Sequence, residues 1–182
     1  MKTPLLALAP ALLLAFAAPA CDSGGGTTTS PFPEAGDPYP AATVRDCAGD
    51  AVPLGDWIAA HDVVYIGFGA KWCQACQEEV PILNAELVDG LAGQNVGVAQ
   101  LLVEDDPGLP PTQALCASWK DDLGATYDVF VDVDQASLAA HFGGAVTDLP
   151  LHYIVSGDGT VRLRKLGALP DNIKQLVSDW IP

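Results

Sequence analysis

Two thiols three positions apart, Cys73 and Cys76 in Ala70-Lys71-Trp72-Cys73-Gln74-Ala75-Cys76, follow directly on the apolar run Val63-Val64-Tyr65-Ile66-Gly67-Phe68. That spacing, at the expected start of a helix, is suited to redox chemistry. The first turn of a helix offers free backbone N–H groups and the positive end of the dipole, so a thiolate at the first cysteine is stabilised and its pKa falls. A thiolate is the attacking species in disulfide exchange. The competing uses of such a pair are a stable disulfide or half of a zinc site. Structural zinc wants four ligands, whereas His61, His141 and His152 are isolated in the sequence, and no histidine follows Cys76 as haem attachment requires.

Cys47 and Cys116 form a second pair. In an oxidising compartment two such cysteines often join, here clipping the domain's first strand to the helix around Cys116. A second redox pair relaying electrons to Cys73 is the alternative.

The elements that must position these sulfurs follow from periodicity. Val63 to Phe68, β-branched and aromatic and bounded by Asp62 and Gly69, reads as a buried strand. From Cys73 to Leu91, Val80, Leu83, Leu87 and Leu91 recur at helical spacing, with Pro81 expected to kink the helix. Asn95 to Val103 reads as a strand, and Thr112 to Leu123 as a helix with Thr112 as its N-cap. Tyr127 to Val133 is another strand, with a short helix near His141 after it. Leu151–Val155 and Val161–Leu166 flank Ser156-Gly157-Asp158-Gly159, a hairpin signal, and Leu169 to Ile181 closes the chain with a helix. Helices alternating with strands predict an α/β layered domain, a mixed central sheet with helices on both faces.

Residues 1–20 carry one cation at Lys2, an apolar stretch interrupted by Pro10, and Ala18-Pro19-Ala20 before Cys21, and read as an export signal. The box ending at Cys21 resembles a bacterial lipoprotein cleavage site, which implies acylation of Cys21 and attachment to a membrane. Ordinary secretion is the alternative. Residues 21–41, rich in Gly, Thr, Ser and Pro, read as a flexible linker, leaving 42–182 as one domain. The expected location is therefore the periplasmic side of a bacterial cell envelope, lipid-anchored, or the exterior. With 23 acidic residues against 8 Lys and Arg the chain carries −15, so it repels phosphate backbones and nucleic acid is an improbable partner.

Taken together, Trp72-Cys73-Gln74-Ala75-Cys76 after a buried strand, Pro81 inside the next helix, and Asp148-Leu149-Pro150 before a later strand resemble the thioredoxin-like superfamily. The similarity is to its extracytoplasmic, membrane-tethered thiol-disulfide oxidoreductases and their redoxin relatives, including those that reduce apocytochrome c. The resemblance implies a three-layer fold, Cys73 as the exposed nucleophile, Cys76 as the resolving thiol, and Trp72 shielding the pair. It implies Pro150 as a cis-proline facing the cysteines and Glu79 as an acid that tunes thiol ionisation or carries a proton. It also implies protein thiols or disulfides as substrates, a separate redox partner, and no cofactor beyond the Cys73–Cys76 disulfide itself.

Three departures bear on potential rather than on chemistry. Gly67 stands where thioredoxin has a buried Asp, Gly69 follows Phe68 where many relatives have Trp, and Ala75 precedes Cys76 where proline is frequent. A redoxin-type peroxidase is an alternative, although Phe68-Gly69-Ala70-Lys71-Trp72 lacks the proline and hydroxyl of a peroxidatic loop. A copper-handling carrier of the same fold, recruiting His141 or His152, is another.

Overall fold

In the computed structural model, which describes residues 30–182, seven strands form one mixed sheet in the order β2-β1-β5-β4-β3-β6-β7. The strands are β1 (Thr43–Arg45), β2 (Ala51–Pro53), β3 (Val63–Ala70), β4 (Val96–Glu104), β5 (Asp128–Val131), β6 (Leu151–Ser156) and β7 (Val161–Leu166). Strands β3, β4 and β5 run parallel, β6 pairs antiparallel with β3, and β7 pairs antiparallel with β6. The parallel centre is buried on both faces, which is why β3 reads as an unbroken apolar run.

Successive side chains of β3 point to opposite faces and so separate two cores. Val63 and Tyr65 pack with α3 (Val80–Leu83), the turn that follows it, α4 (Gln113–Asp121) and α6 (Ile173–Ser178), through Leu83, Leu87, Leu115, Trp119, Ile173 and Val177. Val64, Ile66 and Phe68 pack on the other face with α1 (Leu54–Ala59) and α5 (Leu138–Phe142), through Leu54, Ile58, Leu138 and Phe142. Helices cover both faces of the mixed sheet, and the fold is thioredoxin-like.

The helix expected from Cys73 to Leu91 is divided into α2 (Gln74–Glu78), α3 and a π-helical turn over Asn84–Asp89. Pro81 sits in the first turn of α3, where its missing N–H costs nothing, so the break falls at Glu79. The first strand expected near Cys47 is β1, whereas β2 and α1 lack the apolar periodicity that would mark them, and the π-turn has no sequence signal. Thr112 is the N-cap residue of α4, but its hydroxyl donates to Asp105 Oδ2 at 2.8 Å instead of capping.

The linker expectation needs correcting at its C-terminal end. Residues 21–29, together with the export signal and Cys21, lie outside the described residues, whereas the chain from residue 30 is docked. The amide of Tyr39 donates to Gly159 O and that of Gly36 to Val161 O, both at 2.8 Å, and Tyr39 is buried against Tyr153 and His141. Two aromatics, Phe32 and Tyr39, in a Gly/Pro-rich stretch leave no periodicity, yet burial of Tyr39 suffices to anchor the strap. Among the described residues no helix is long and apolar enough to cross a membrane.

Candidate active site

The sheet delivers Cys73 and Cys76 to the C-terminal end of its parallel strands, and there the two sulfurs are bonded, with Cα atoms 5.3 Å apart. Cys73, expected to be exposed, is only 5% exposed when bonded to Cys76, so the two sulfurs differ in their polar surroundings rather than in burial alone. Cys73 is the N-cap of α2, and its Sγ accepts from the backbone N–H of Cys76 at 3.2 Å. Cys76 is fully buried, and its Sγ faces the carbonyl oxygen of Phe68 at 3.9 Å. An N–H favours a thiolate and a carbonyl disfavours one, so when the bond is reduced Cys73 is the sulfur that ionises more readily.

Leu149–Pro150 is a cis peptide bond. Leu151, the next residue, pairs with Phe68, the residue whose carbonyl faces Cys76. Strand register therefore sets Pro150 at the same end of the sheet as the cysteines.

Trp72 is 40% exposed, and its indole N–H donates to Glu104 Oε2 at 2.9 Å. Glu104 is itself buried and accepts from the amide of Gly108 through Oε1 at 3.0 Å, which ties the loop after β4 to the active-site turn. Lys71 is directed to Asp105 at 2.9 Å, so its ammonium is engaged by a carboxylate rather than by the sulfurs.

Beneath the disulfide lies a polar floor that the sequence did not announce. The space over Gly67 and Gly69 is taken by Gln100 of β4, which is 2% exposed. A Cβ at Gly69 would lie 2.5 Å from Gln100 Nε2 and 3.4 Å from Cys76 Cβ, so glycine there admits the amide beside Cys76. Gly67 likewise leaves its space to the Tyr65 hydroxyl and the Gln100 amide.

Glu79 closes this floor from the helix side. It is 7% exposed, and Oε1 accepts the backbone N–H of Leu169 at 3.0 Å. Burial pushes its carboxyl up to about 7, against the pull of that N–H. His152 is fully buried, with Nδ1 at 2.7 Å from Tyr65 Oη, Nε2 at 2.8 Å from Gly167 O and 3.7 Å from Glu79 Oε1. Burial lowers its pKa to about 4, so the imidazole is neutral at pH 7 and the Glu79 contact is polar rather than an ion pair. His141 lies on the opposite face of the sheet among Tyr39, Phe68 and Tyr153, and is likewise held down to about 4 by burial. Among the described residues no three His, Cys, Asp or Glu side chains are grouped to hold a metal.

These buried groups make stability depend on pH in a stated direction. Glu79, raised from 4.5 to about 7, contributes stability that is full below pH 4.5 and lost as pH rises through 7. His141 and His152, lowered from 6.5 to about 4, contribute stability present above pH 6.5 and lost as pH falls through 4. Between these limits unfolding takes up two protons at the histidines and releases one from Glu79. Acidification is therefore expected to cost roughly 1.4 kcal/mol per pH unit. Glu79→Gln is expected to double that slope, since the opposing proton is gone. Urea unfolding of both proteins across this window checks it, and parallel slopes would contradict a buried, protonated Glu79.

The other disulfide joins Cys47, after β1, to Cys116 in α4, with Cα atoms 5.2 Å apart. It lies apart from the polar floor and clips the sheet's edge hairpin to a helix.

The sequence of residues 35–164, most of the chain, matches the AhpC/TSA family. The chain belongs to that family. Among curated proteins none matches it in sequence. Several solved structures share its fold. The thioredoxin domain of a thiol-disulfide oxidoreductase from Bacteroides vulgatus is 16% identical, with a TM-score of 0.66 over 81% of this chain and 98% of that one. A thiol:disulfide interchange protein of the thioredoxin family from Chlorobium tepidum is 16% identical, with a TM-score of 0.61 over 79% and 94%. A secreted disulfide oxidoreductase from Mycobacterium tuberculosis is 15% identical, with a TM-score of 0.59 over 76% and 95%. This AhpC/TSA member therefore carries its Cys-x-x-Cys pair on a scaffold shared with proteins so described.

Of the residues singled out from sequence, Cys73, Cys76, Trp72, Glu79 and Pro150 lie at one end of the sheet. Tyr65, Gln100 and Glu104 join them there without having been read as site residues, and Tyr65 looked like ordinary strand filling. His152 lies there too, but was singled out only as a ligand for a copper carrier, and His141, its alternative in that reading, lies on the other face of the sheet.

Proposed function

We propose that this protein is an extracytoplasmic thiol-disulfide oxidoreductase that exchanges disulfides with exported proteins through Cys73 and Cys76. The observation that carries the reading is the unequal setting of two bonded sulfurs, one under an N–H at a helix start and one buried against a carbonyl beside a protonatable Glu79. The export signal and the lipoprotein-like box at Cys21 support action outside the cytoplasm, with 42–182 as the catalytic domain and the lipid as its tether.

In the reducing direction the Cys73 thiolate attacks one sulfur of a substrate disulfide, forming a mixed disulfide and expelling the other substrate sulfur as thiolate. Cys76 then gives its proton to the Glu79 carboxylate and attacks Cys73 Sγ, releasing the second substrate sulfur. Two electrons pass from the dithiol to the substrate, and the proton on Glu79 returns to solvent or to the departing thiolate. A dithiol partner restores the pair by the reverse exchange, and the potential of the couple sets the net direction. Pro150 offers backbone beside the reacting sulfurs, Trp72 covers them, and no cofactor beyond the disulfide is needed.

The test is insulin reduction by the purified protein with a small-molecule dithiol as donor, alongside consumption of hydrogen peroxide. Catalysed insulin reduction without peroxide turnover is expected. Peroxide turnover with inert behaviour toward insulin would replace this reading by that of a peroxidase.

A further inference from the structure

Glu79 is not buried alone. Cys76 stands one helical turn before it, at the i,i+3 spacing that makes helix side chains neighbours, and the groups facing it are Tyr65 from β3, Tyr127 from the approach to β5, His152 from β6 and the amide of Leu169 after β7. Tyr65 and Tyr127 remain neutral phenols, because burial pushes both hydroxyls up. Lys165 of β7 bears on His152.

The tautomer of His152 is fixed by its partners. The carbonyl of Gly167 can only accept, so Nε2 carries the proton and donates to it. Nδ1 is therefore bare and accepts from the Tyr65 hydroxyl. Protonated Nε2 is thus held 3.7 Å from Glu79 Oε1, with both side chains buried. At that distance in a poorly screened interior an N–H dipole favours the carboxylate over the acid. The same short connection does three things: Gly167 O accepts from His152 Nε2–H, the Gly167 N–H donates to Pro150 O at 2.9 Å, and the Leu169 N–H donates to Glu79. Gly167 has φ +81°, a conformation that glycine adopts without strain.

We propose that Tyr65 and His152 are positioning residues for Glu79, holding one imidazole tautomer so that the carboxylate stays available to take the proton of Cys76. The proposal rests on the exchange reaction above and deepens it. Without the Tyr65 hydroxyl Nδ1 is left buried and unsatisfied, so the ring is no longer held where its Nε2–H lies beside Glu79. The carboxylate then loses that N–H, and the protonated carboxyl is favoured.

The experiment is a 13C titration of the Glu79 carboxyl in the oxidised and reduced protein, for wild type, Tyr65→Phe, and the double variant Tyr65→Phe/His152→Phe. The double variant removes both partners of the buried bond, so neither is left orphaned. Both variants are expected to raise the midpoint by about half a pH unit or more. The pH profile for resolution of the mixed disulfide should move with it, and should lose that inflection in Glu79→Gln. A purely structural role would lower thermal stability and leave the titration where it was. Midpoints unchanged in both variants overturn the proposal. If wild type fails to reduce insulin, the exchange reaction falls instead, and the titration, which needs no substrate, still decides what Tyr65 and His152 do.

Discussion

Cys73→Ser is expected to bring insulin reduction down to the rate of the dithiol donor alone, while Cys76→Ser keeps the first step and accumulates a mixed disulfide with substrate. The two sulfurs are chemically identical, so the asymmetry must come from their surroundings. Cys73 Sγ accepts the Cys76 N–H at the helix start, and Cys76 Sγ looks at the Phe68 carbonyl from a fully buried position. In the proposed mechanism the attacking thiolate is that of Cys73, and a serine hydroxyl there neither ionises near neutral pH nor forms a covalent bond to sulfur. With Cys76 as serine, Cys73 still attacks, but nothing displaces the substrate, so the adduct persists until an external thiol removes it. Mass spectrometry of each variant after mixing with oxidised substrate reads the result directly. Activity surviving in Cys73→Ser, or an adduct confined to Cys76 in that variant, would reverse the assignment.

How much of this was legible beforehand depended on whether the feature is local in the chain. The buried run of β3, the hairpin of β6 and β7, and the cysteine pair between strand and helix are written in periodicity and spacing, and the fold class followed from them. Pro81 marked a break, but the break falls at Glu79 because proline is well tolerated in the first turn of α3. The polar floor was not legible. Tyr65, Gln100, Glu79 and His152 come from four different elements, and each looks ordinary in its own neighbourhood: a strand aromatic, a strand amide, a helix acid, a lone histidine. Gly67 shows the limit best. Read alone it is the loss of a buried acid; in three dimensions its missing side chain is what admits the Tyr65 hydroxyl and the Gln100 amide. Tyr39 makes the same point for the fold, since a residue in a stretch read as linker is buried on a ring cluster contributed by α5 and β6.

Removing the second disulfide is expected to produce the largest loss of stability of any change considered. Cys47 and Cys116 are 69 positions apart, and closing a loop of that length restricts the unfolded chain by about 4 kcal/mol in the chain-entropy treatment. That is a large share of the roughly 5–15 kcal/mol by which a domain is ordinarily stable. The anchored hairpin adds to the effect. Strands β1 and β2 are three residues each and lie at the sheet edge, and β1 meets β5 through a single register pair, Arg45 with Val131. Cys47→Ala/Cys116→Ala is the informative variant, because Cys116 is fully buried and alanine introduces no hydroxyl to satisfy. Urea unfolding should show its midpoint falling, with proteolysis reaching the hairpin first. Insulin reduction below the unfolding transition should remain, because Cys73, Cys76 and Glu79 lie in elements the bond does not touch. A loss of only a few tenths of a kcal/mol would remove the structural role. Loss of activity from a protein that is still folded would point instead to electron exchange between the two pairs.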